Sequence, residues 1–152
     1  MSWEESVGQV LLIEDNAADV RLMHEAFKEA GARVQVHALR DGSSALAFLH
    51  REGLQTAAPR PDLILLDLNL PAKGGKEVLE EIKGDPSLKR IPVLVITSSR
   101  AHEEIARCYD LRANACIQKP VGFTELVAVV SSIYQFWFQT ATLSRPTGAE
   151  AF

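Results

Sequence analysis

Leu63-Ile64-Leu65-Leu66-Asp67-Leu68-Asn69-Leu70-Pro71 is the stretch on which the fold turns. Four apolar residues in succession, ended by an acid, read as a short strand covered on both faces, because a strand with one wet face would alternate. Strands of that kind belong to parallel sheets, whose crossover helices cover both sides. Working outward, the pattern recurs. Candidate strands are Gln9–Ile13, Arg33–Ala38, Asp62–Leu66, Pro92–Ile96 and Ala115–Gln118. Four are nearly continuous in apolar residues, while Arg33–Ala38 alternates more and reads as an edge strand. Between them lie helical segments at Ala17–Ala30, Ser43–Arg51, Lys76–Lys83, His102–Leu111 and Thr124–Phe138, with apolar spacing such as Val20, Met23, Phe27 and Ala30. Gly31, Gly42, Gly53, Pro59-Arg60-Pro61, Pro71 with Gly74-Gly75, Pro86 and Pro120 punctuate the junctions. Five βα units follow, hence an α/β fold.

Composition bounds what such a fold can do. The chain has 152 residues, 47% hydrophobic and 24% charged, which suits one domain. A chain of this size buries about 68–70% of its unfolded surface and needs no disulfide or metal staple. One domain over residues 1–143 is expected, ending in an extended helix, with residues 144–152 as a flexible tail. Sixteen basic against twenty acidic side chains give a net charge of −4, the wrong sign for direct nucleic-acid binding. Cys108 and Cys116 have no zinc-ligand spacing and read as packed thiols in a reducing compartment. His24, His37, His50 and His102 likewise lack metal spacing and read as surface or boundary residues. The opening Met1-Ser2-Trp3-Glu4-Glu5 is acidic where a signal peptide is basic, and no apolar run reaches the ~20 residues of a membrane span. A soluble cytoplasmic protein is expected.

In an open parallel sheet, ligands bind outside the carboxyl ends of the strands. The first strand ends in Glu14-Asp15, the third in Asp67, the fourth in Thr97-Ser98 and the fifth in Lys119-Pro120. Each has an ordinary explanation when taken singly: Asp15 or Asn16 as a helix cap, Thr97 as a β-branched strand end, Lys119 as a solvated cation. Together on one rim they would require several coincidences. Like charges 4 Å apart repel by about 4 kcal/mol at an effective dielectric near 20, so three clustered carboxylates must protonate, splay apart or bind a cation. An all-oxygen donor set suits Mg²⁺, which takes one or two carboxylates and a phosphate oxygen. Phosphate chemistry is implied. Asp67 is the best-placed nucleophile toward a phosphoryl donor, with Lys119 and the Thr97 hydroxyl as partners of the transferred group.

Glu14-Asp15-Asn16, Asp67 through Pro71 with Gly75, Thr97-Ser98 and Lys119-Pro120 closely resemble the receiver domain of two-component response regulators, over roughly Val7 to Val130. The resemblance implies a doubly wound, flavodoxin-like five-stranded parallel sheet in the order 2-1-3-4-5, with helices on both faces. It implies phosphorylation of Asp67 by a sensor histidine kinase, with Asn69 and Ser98 near the phosphoryl group. Mg²⁺ would be held by Glu14 or Asp15, by Asp67 and by the backbone carbonyl of Asn69. A cis Lys119-Pro120 bond is also implied. Glu14-Asp15-Asn16-x-x-Asp19, the long Leu54–Pro61 connection and the ending Phe136-Trp137-Phe138 resemble stand-alone regulators paired with phytochrome-type kinases. One position departs from the family. The residue three before the strand-five lysine, usually Tyr or Phe, is Cys116, so an inward-swinging aromatic is not available as the output switch. No output domain is expected after residue 144, which makes an unidentified downstream protein the target.

Haloacid-dehalogenase-like phosphatases use similar chemistry but place the nucleophile on the first strand with Asp two residues later, whereas Asp67 is on the third and is followed by Asn69. A flavodoxin-type flavin site would need a phosphate loop where Glu14-Asp15-Asn16-Ala17 stands. Gly74-Gly75 reads as a turn into the third helix. A homodimer is also expected. With Leu126 at zero and ~100° per residue, Val130, Ile133 and Trp137 form the core stripe, while Tyr134, Phe138, Val129 and Phe136 widen the apolar arc to about 200°. A second subunit covering Tyr134, Phe136, Trp137 and Phe138 would account for the excess, and a tail folded back from Leu143 is the alternative.

Overall fold

A computed structural model of the chain describes residues 7–70 and 74–146. Five strands, β1 (Gly8–Ile13), β2 (Val34–Leu39), β3 (Leu63–Asp67), β4 (Val93–Thr97) and β5 (Ala115–Gln118), alternate with α1 (Ala17–Glu29), α2 (Gly42–His50), α3 (Gly75–Gly84), α4 (His102–Asp110) and α5 (Phe123–Tyr134). All strand pairings are parallel, in the order β2-β1-β3-β4-β5. The expected architecture is therefore the observed one, with boundaries moved by at most one residue except at the last helix. Pro71 and residues 147–152 of the expected tail lie outside the described residues.

Period-two alternation splits the core. Leu11, Ile13, Ile64, Leu66, Val93 and Val95 point to one face, where α2, α3 and Cys108 of α4 cover them. Val10, Leu12, Leu63, Leu65, Leu94 and Ile96 point to the other, under Met23, Ala26 and Phe27 of α1 and Val130 and Ile133 of α5. Consecutive apolar residues are needed because both faces are dry. Of the edges, β2 was legible from its alternation. Strand β5 was not: its apolar residues read as covered on both faces, yet it is the opposite edge and none of its residues is fully buried.

The last helix departs from regularity. The α-helix stops at Tyr134 and continues as a π turn over Gln135–Thr140, closed by the Ala141 N–H donating to Phe136 O at 2.7 Å. A turn closed from i to i+5 rotates less per residue than an α-helix, so Phe138 comes round toward the sheet. It packs over Gly8, where any Cβ would collide with the ring. Beyond it, Arg145 Nε meets Asp62 Oδ1 at 2.8 Å, tying the start of the expected tail to the foot of β3. The four aromatics thus divide. Trp137 and Phe138 pack against the chain's own core, Tyr134 stacks on Phe138 with centroids 5.8 Å apart, and Phe136 is 51% exposed. The Lys119–Pro120 bond is trans, correcting the expected cis form: among the described residues no peptide bond is cis, and the trans isomer of X–Pro is the lower in energy by about 0.5–1 kcal/mol. No helix among the described residues is long and apolar enough to cross a membrane.

Candidate functional site: an acidic rim with a bridging lysine

The carboxyl ends of β1, β3, β4 and β5 meet as anticipated. Glu14 and Asp67 are 5% and 7% exposed, and Thr97 is 1% exposed. Carboxylate oxygens of Glu14, Asp15 and Asp67 lie within 4.8 Å of one another. Asn69 and Ser98 line the same open hollow, together with Asp19 and Lys119. Of the two candidate caps, Asn16 is the one used: its side chain accepts the Asp19 N–H at 3.0 Å and starts α1. That leaves Asp15 free to face the hollow. Asp67 is oriented from behind, because its Oδ1 accepts the Asn69 N–H at 3.0 Å.

Lys119 is the bridge. Its Nζ lies 2.9 Å from Glu14 Oε1, 2.8 Å from Asp19 Oδ2 and 3.6 Å from Asp67 Oδ2. Burial alone would lower the ammonium's pKa, but hydrogen bonds to Asp19 and Glu14 and the charge of Asp67 hold it above the ordinary lysine range. Glu14 is raised as well, which for an acid disfavours the charged form. Burial first, then its hydrogen bond to Asp67, push it up to about 7, against the opposing pull of Lys119 and the Asn16 N–H.

The sequence does not mark Asp19 as a site residue, although it closes the Glu14-Asp15-Asn16-x-x-Asp19 pattern. The signal available was an acid in the first helical turn, which also reads as an ordinary dipole partner. At 2.8 Å from Lys119 Nζ, it shares the ammonium with Glu14, and both lie nearer to it than Asp67 does. Cys116 does not join the rim; its side chain packs toward Cys108 on the α2–α3–α4 face. Burial pushes the Cys108 thiol up to about 11 and raises Cys116 also, as packed thiols should be. The histidines fall outside the site, His24, His50 and His102 being exposed and His37 half-buried against Gln9 Oε1 at 2.6 Å.

The donor set fits a hard divalent ion: three carboxylates, no nitrogen or sulfur, open to solvent on one side. Oxygens 2.0–2.1 Å from one Mg²⁺-sized ion stand at most about 4.2 Å apart, so the observed spread closes with small side-chain rotations.

A doubly wound sheet with acids at β1 and β3, a hydroxyl at β4 and a lysine at β5 is the arrangement of a receiver-type signalling module. The chain belongs to the response regulator receiver domain family, matched over residues 10–131. Receiver domains are signalling proteins of two-component systems and bind divalent metal. The chain is 46% identical over 134 residues to the response regulator Rcp1 of Synechocystis, covering 88% of this chain and 91% of that protein. The phosphorylated cyanobacterial phytochrome response regulator RcpA superposes with a TM-score of 0.87 at 47% identity, covering 92% of this chain and all of that one. The Mn²⁺-bound form of Rcp1 superposes at 0.83 with 44% identity, covering 91% and 99%.

Proposed function

We propose that this chain accepts a phosphoryl group on Asp67 from a sensor histidine kinase of the phytochrome type, and relays the signal by protein–protein contact. The observation that carries the reading is Lys119 held between Glu14, Asp19 and the buried Asp67, beside a three-carboxylate cation site. A carboxylate oxygen of Asp67 attacks phosphorus, the phosphohistidine P–N bond breaks, and the imidazole leaves with a proton from solvent. The product is an acyl phosphate. Lys119, already close to Asp67, moves onto the phosphoryl oxygens, and Thr97 and Ser98 supply hydroxyls at the β4 end. Glu14, Asp15, Asp67 and the Asn69 carbonyl would hold Mg²⁺, which when bound neutralises charge on the transferring group. Leu22, Val121 and Phe123 are exposed around this rim and offer a donor protein apolar contact. Similarity to RcpA and Rcp1 supports the phytochrome assignment.

The test is phosphotransfer. Acetyl phosphate with Mg²⁺ should add one phosphoryl mass to the wild type and none to Asp67→Asn, and a phytochrome kinase should transfer its label where unrelated kinases do not. An unchanged modified peak in Asp67→Asn would sink the assignment. We further propose a homodimer through the π turn, centred on Phe136 with Tyr134 and flanked by Trp137 and Phe138. The exposed Phe136, edge-to-face with Trp137 at 5.0 Å, supports this. Because Phe138 also packs on Gly8, Phe136→Ala alone is the clean variant. Sedimentation should show a dimer for the wild type and a monomer for the variant, and a monomeric wild type at micromolar concentration would overturn the interface.

A further inference from the structure

Helix α4 is weakly anchored for an element beside the site. Of its nine residues only Cys108 is buried, against four in α3 and three in α1, and it has no side-chain N-cap bond. Its ion pair, Lys76 Nζ to Glu104 Oε1, is long at 4.0 Å. Elements with so little buried surface open most easily.

Besides its backbone bonds, each end of α4 is linked to the sheet through a side-chain hydrogen bond. At the N-terminal end, Thr97 Oγ1 accepts the Ser99 N–H at 3.0 Å and Ser99 Oγ accepts the Ala101 N–H at 3.1 Å. Ala101 O in turn accepts the Glu104 and Ile105 N–H groups, each at 3.1 Å, and so begins the helix. The Thr97 hydroxyl is thus three links from α4. At the C-terminal end, Tyr109 Oη accepts the Cys116 N–H at 3.1 Å. Strand β5 is an edge, and its Lys119 N–H donates inward to Thr97 O at 2.7 Å. Amides alternate in direction along a strand, so the Cys116 N–H faces the free edge, where it would otherwise be left to water. The phenol takes it instead. Burial does not explain this placement, since Tyr109 is 50% exposed.

We propose that the Tyr109 hydroxyl is a latch, which holds α4 on the free edge of β5 in the unphosphorylated protein and releases it when Thr97 turns toward a phosphoryl group on Asp67. The release half rests on the phosphoryl reading of Asp67; the holding half does not. A χ1 rotation that aims Thr97 Oγ1 at Asp67 carries the acceptor away from the Ser99 N–H and shifts the turn that begins α4. A nine-residue helix with one buried side chain transmits that shift to its far end, where a 3.1 Å bond tolerates little displacement before it breaks. The small Cys116 side chain leaves β5 without an aromatic of its own at this position, and Tyr109 supplies one from outside the strand.

The experiment compares wild type with Tyr109→Phe, which removes one exposed oxygen and leaves the ring. Hydrogen exchange at the Cys116 amide, read by NMR, should be up to about tenfold faster in the variant. Beryllofluoride with Mg²⁺, as a phosphoryl mimic, should speed the same amide in the wild type toward the variant's rate. The variant should bind beryllofluoride more tightly by up to the same factor, because coupling is reciprocal. Equal Cys116 exchange in the two unliganded proteins would overturn the latch. Exchange unchanged by beryllofluoride while Thr97 and Ser98 resonances move would overturn its release. Resonances of Asp67, Thr97 and Ser98 that all stay still would overturn the phosphoryl reading, and the unliganded comparison would still decide whether the phenol holds β5.

Discussion

Replacing Gly75 by Ala sets one methyl group against the backbone that carries Asp67. A Cβ at this position would lie 2.7 Å from each of three atoms, Asp67 O, Leu68 Cα and Leu68 O. Non-bonded heavy atoms rest at roughly 3.5–4.0 Å, so each contact is about 0.8 Å too short or worse. None of the three is the tip of a flexible side chain. Relief requires the first turn of α3 to back away from the end of β3, stretching the Gly75 N–H to Leu68 O bond from its 3.2 Å. Overpacking of this sort costs about 1–3 kcal/mol. The better helix propensity of Ala returns roughly 0.5–1 kcal/mol. The net is a loss of about 0–2.5 kcal/mol, centred on about 1 kcal/mol, or about 2–4 °C in Tm for a chain of this size. Gly84 at the other end of the same helix is the control. Its Cβ would meet nothing within 4 Å, so Gly84→Ala should be neutral or stabilising by up to ~1 kcal/mol. Urea unfolding followed by tryptophan fluorescence measures both. A Gly75→Ala variant as stable as wild type, or a Gly84→Ala variant that is equally damaged, would refute the steric reasoning.

Three further outcomes are expected. Burial lowers Lys83 from 10.5 to about 8, while its Nζ donates to Lys89 O and Ile91 O at 3.0 and 2.9 Å, bonds a neutral amine can keep. The folded chain therefore sheds this proton first, the unfolded chain binds more protons between pH 8 and 10.5, and stability rises with pH across that window. A flat difference between wild-type and Lys83→Met unfolding curves over that range would contradict this. Asp62 accepts both the Gln9 N–H and Arg145 Nε at 2.8 Å, so Asp62→Ala should cost about 1–3 kcal/mol and Arg145→Ala under about 1 kcal/mol. Urea midpoints in the reverse order would dismiss the shared-acceptor account. Mg²⁺ at a hundredfold excess over its Kd should stabilise the wild type by about 2.7 kcal/mol and the Glu14→Gln, Asp67→Asn variant hardly at all. Equal Tm gains in calorimetry would rule out the acidic rim as the cation site.

Much of the fold could be read from local pattern. Each strand buried on both faces needs an apolar residue at every position, and that constraint shows in Leu63-Ile64-Leu65-Leu66 without reference to any other part of the chain. β5 escaped it because the three apolar residues Ala115-Cys116-Ile117 look the same at an edge as in the middle. The last helix escaped for another reason. Its π turn answers a hollow over Gly8, more than a hundred residues earlier, and no period in residues 124–138 encodes that hollow.

The same division holds at the site. Residue type and position at strand ends determined by themselves that Glu14, Asp15, Asp67, Thr97 and Lys119 would share one rim, because parallel strands bring their carboxyl ends to one side. What only the tertiary structure decided is how the charges are partnered. Lys119 lies nearer to Asp19 and Glu14 than to Asp67, and Tyr109 closes on the Cys116 amide of an edge strand. The first depends on how far α1 sits from the end of β5, a hundred residues later in the chain; the second depends on how the short turn after α4 sets its last residues against β5.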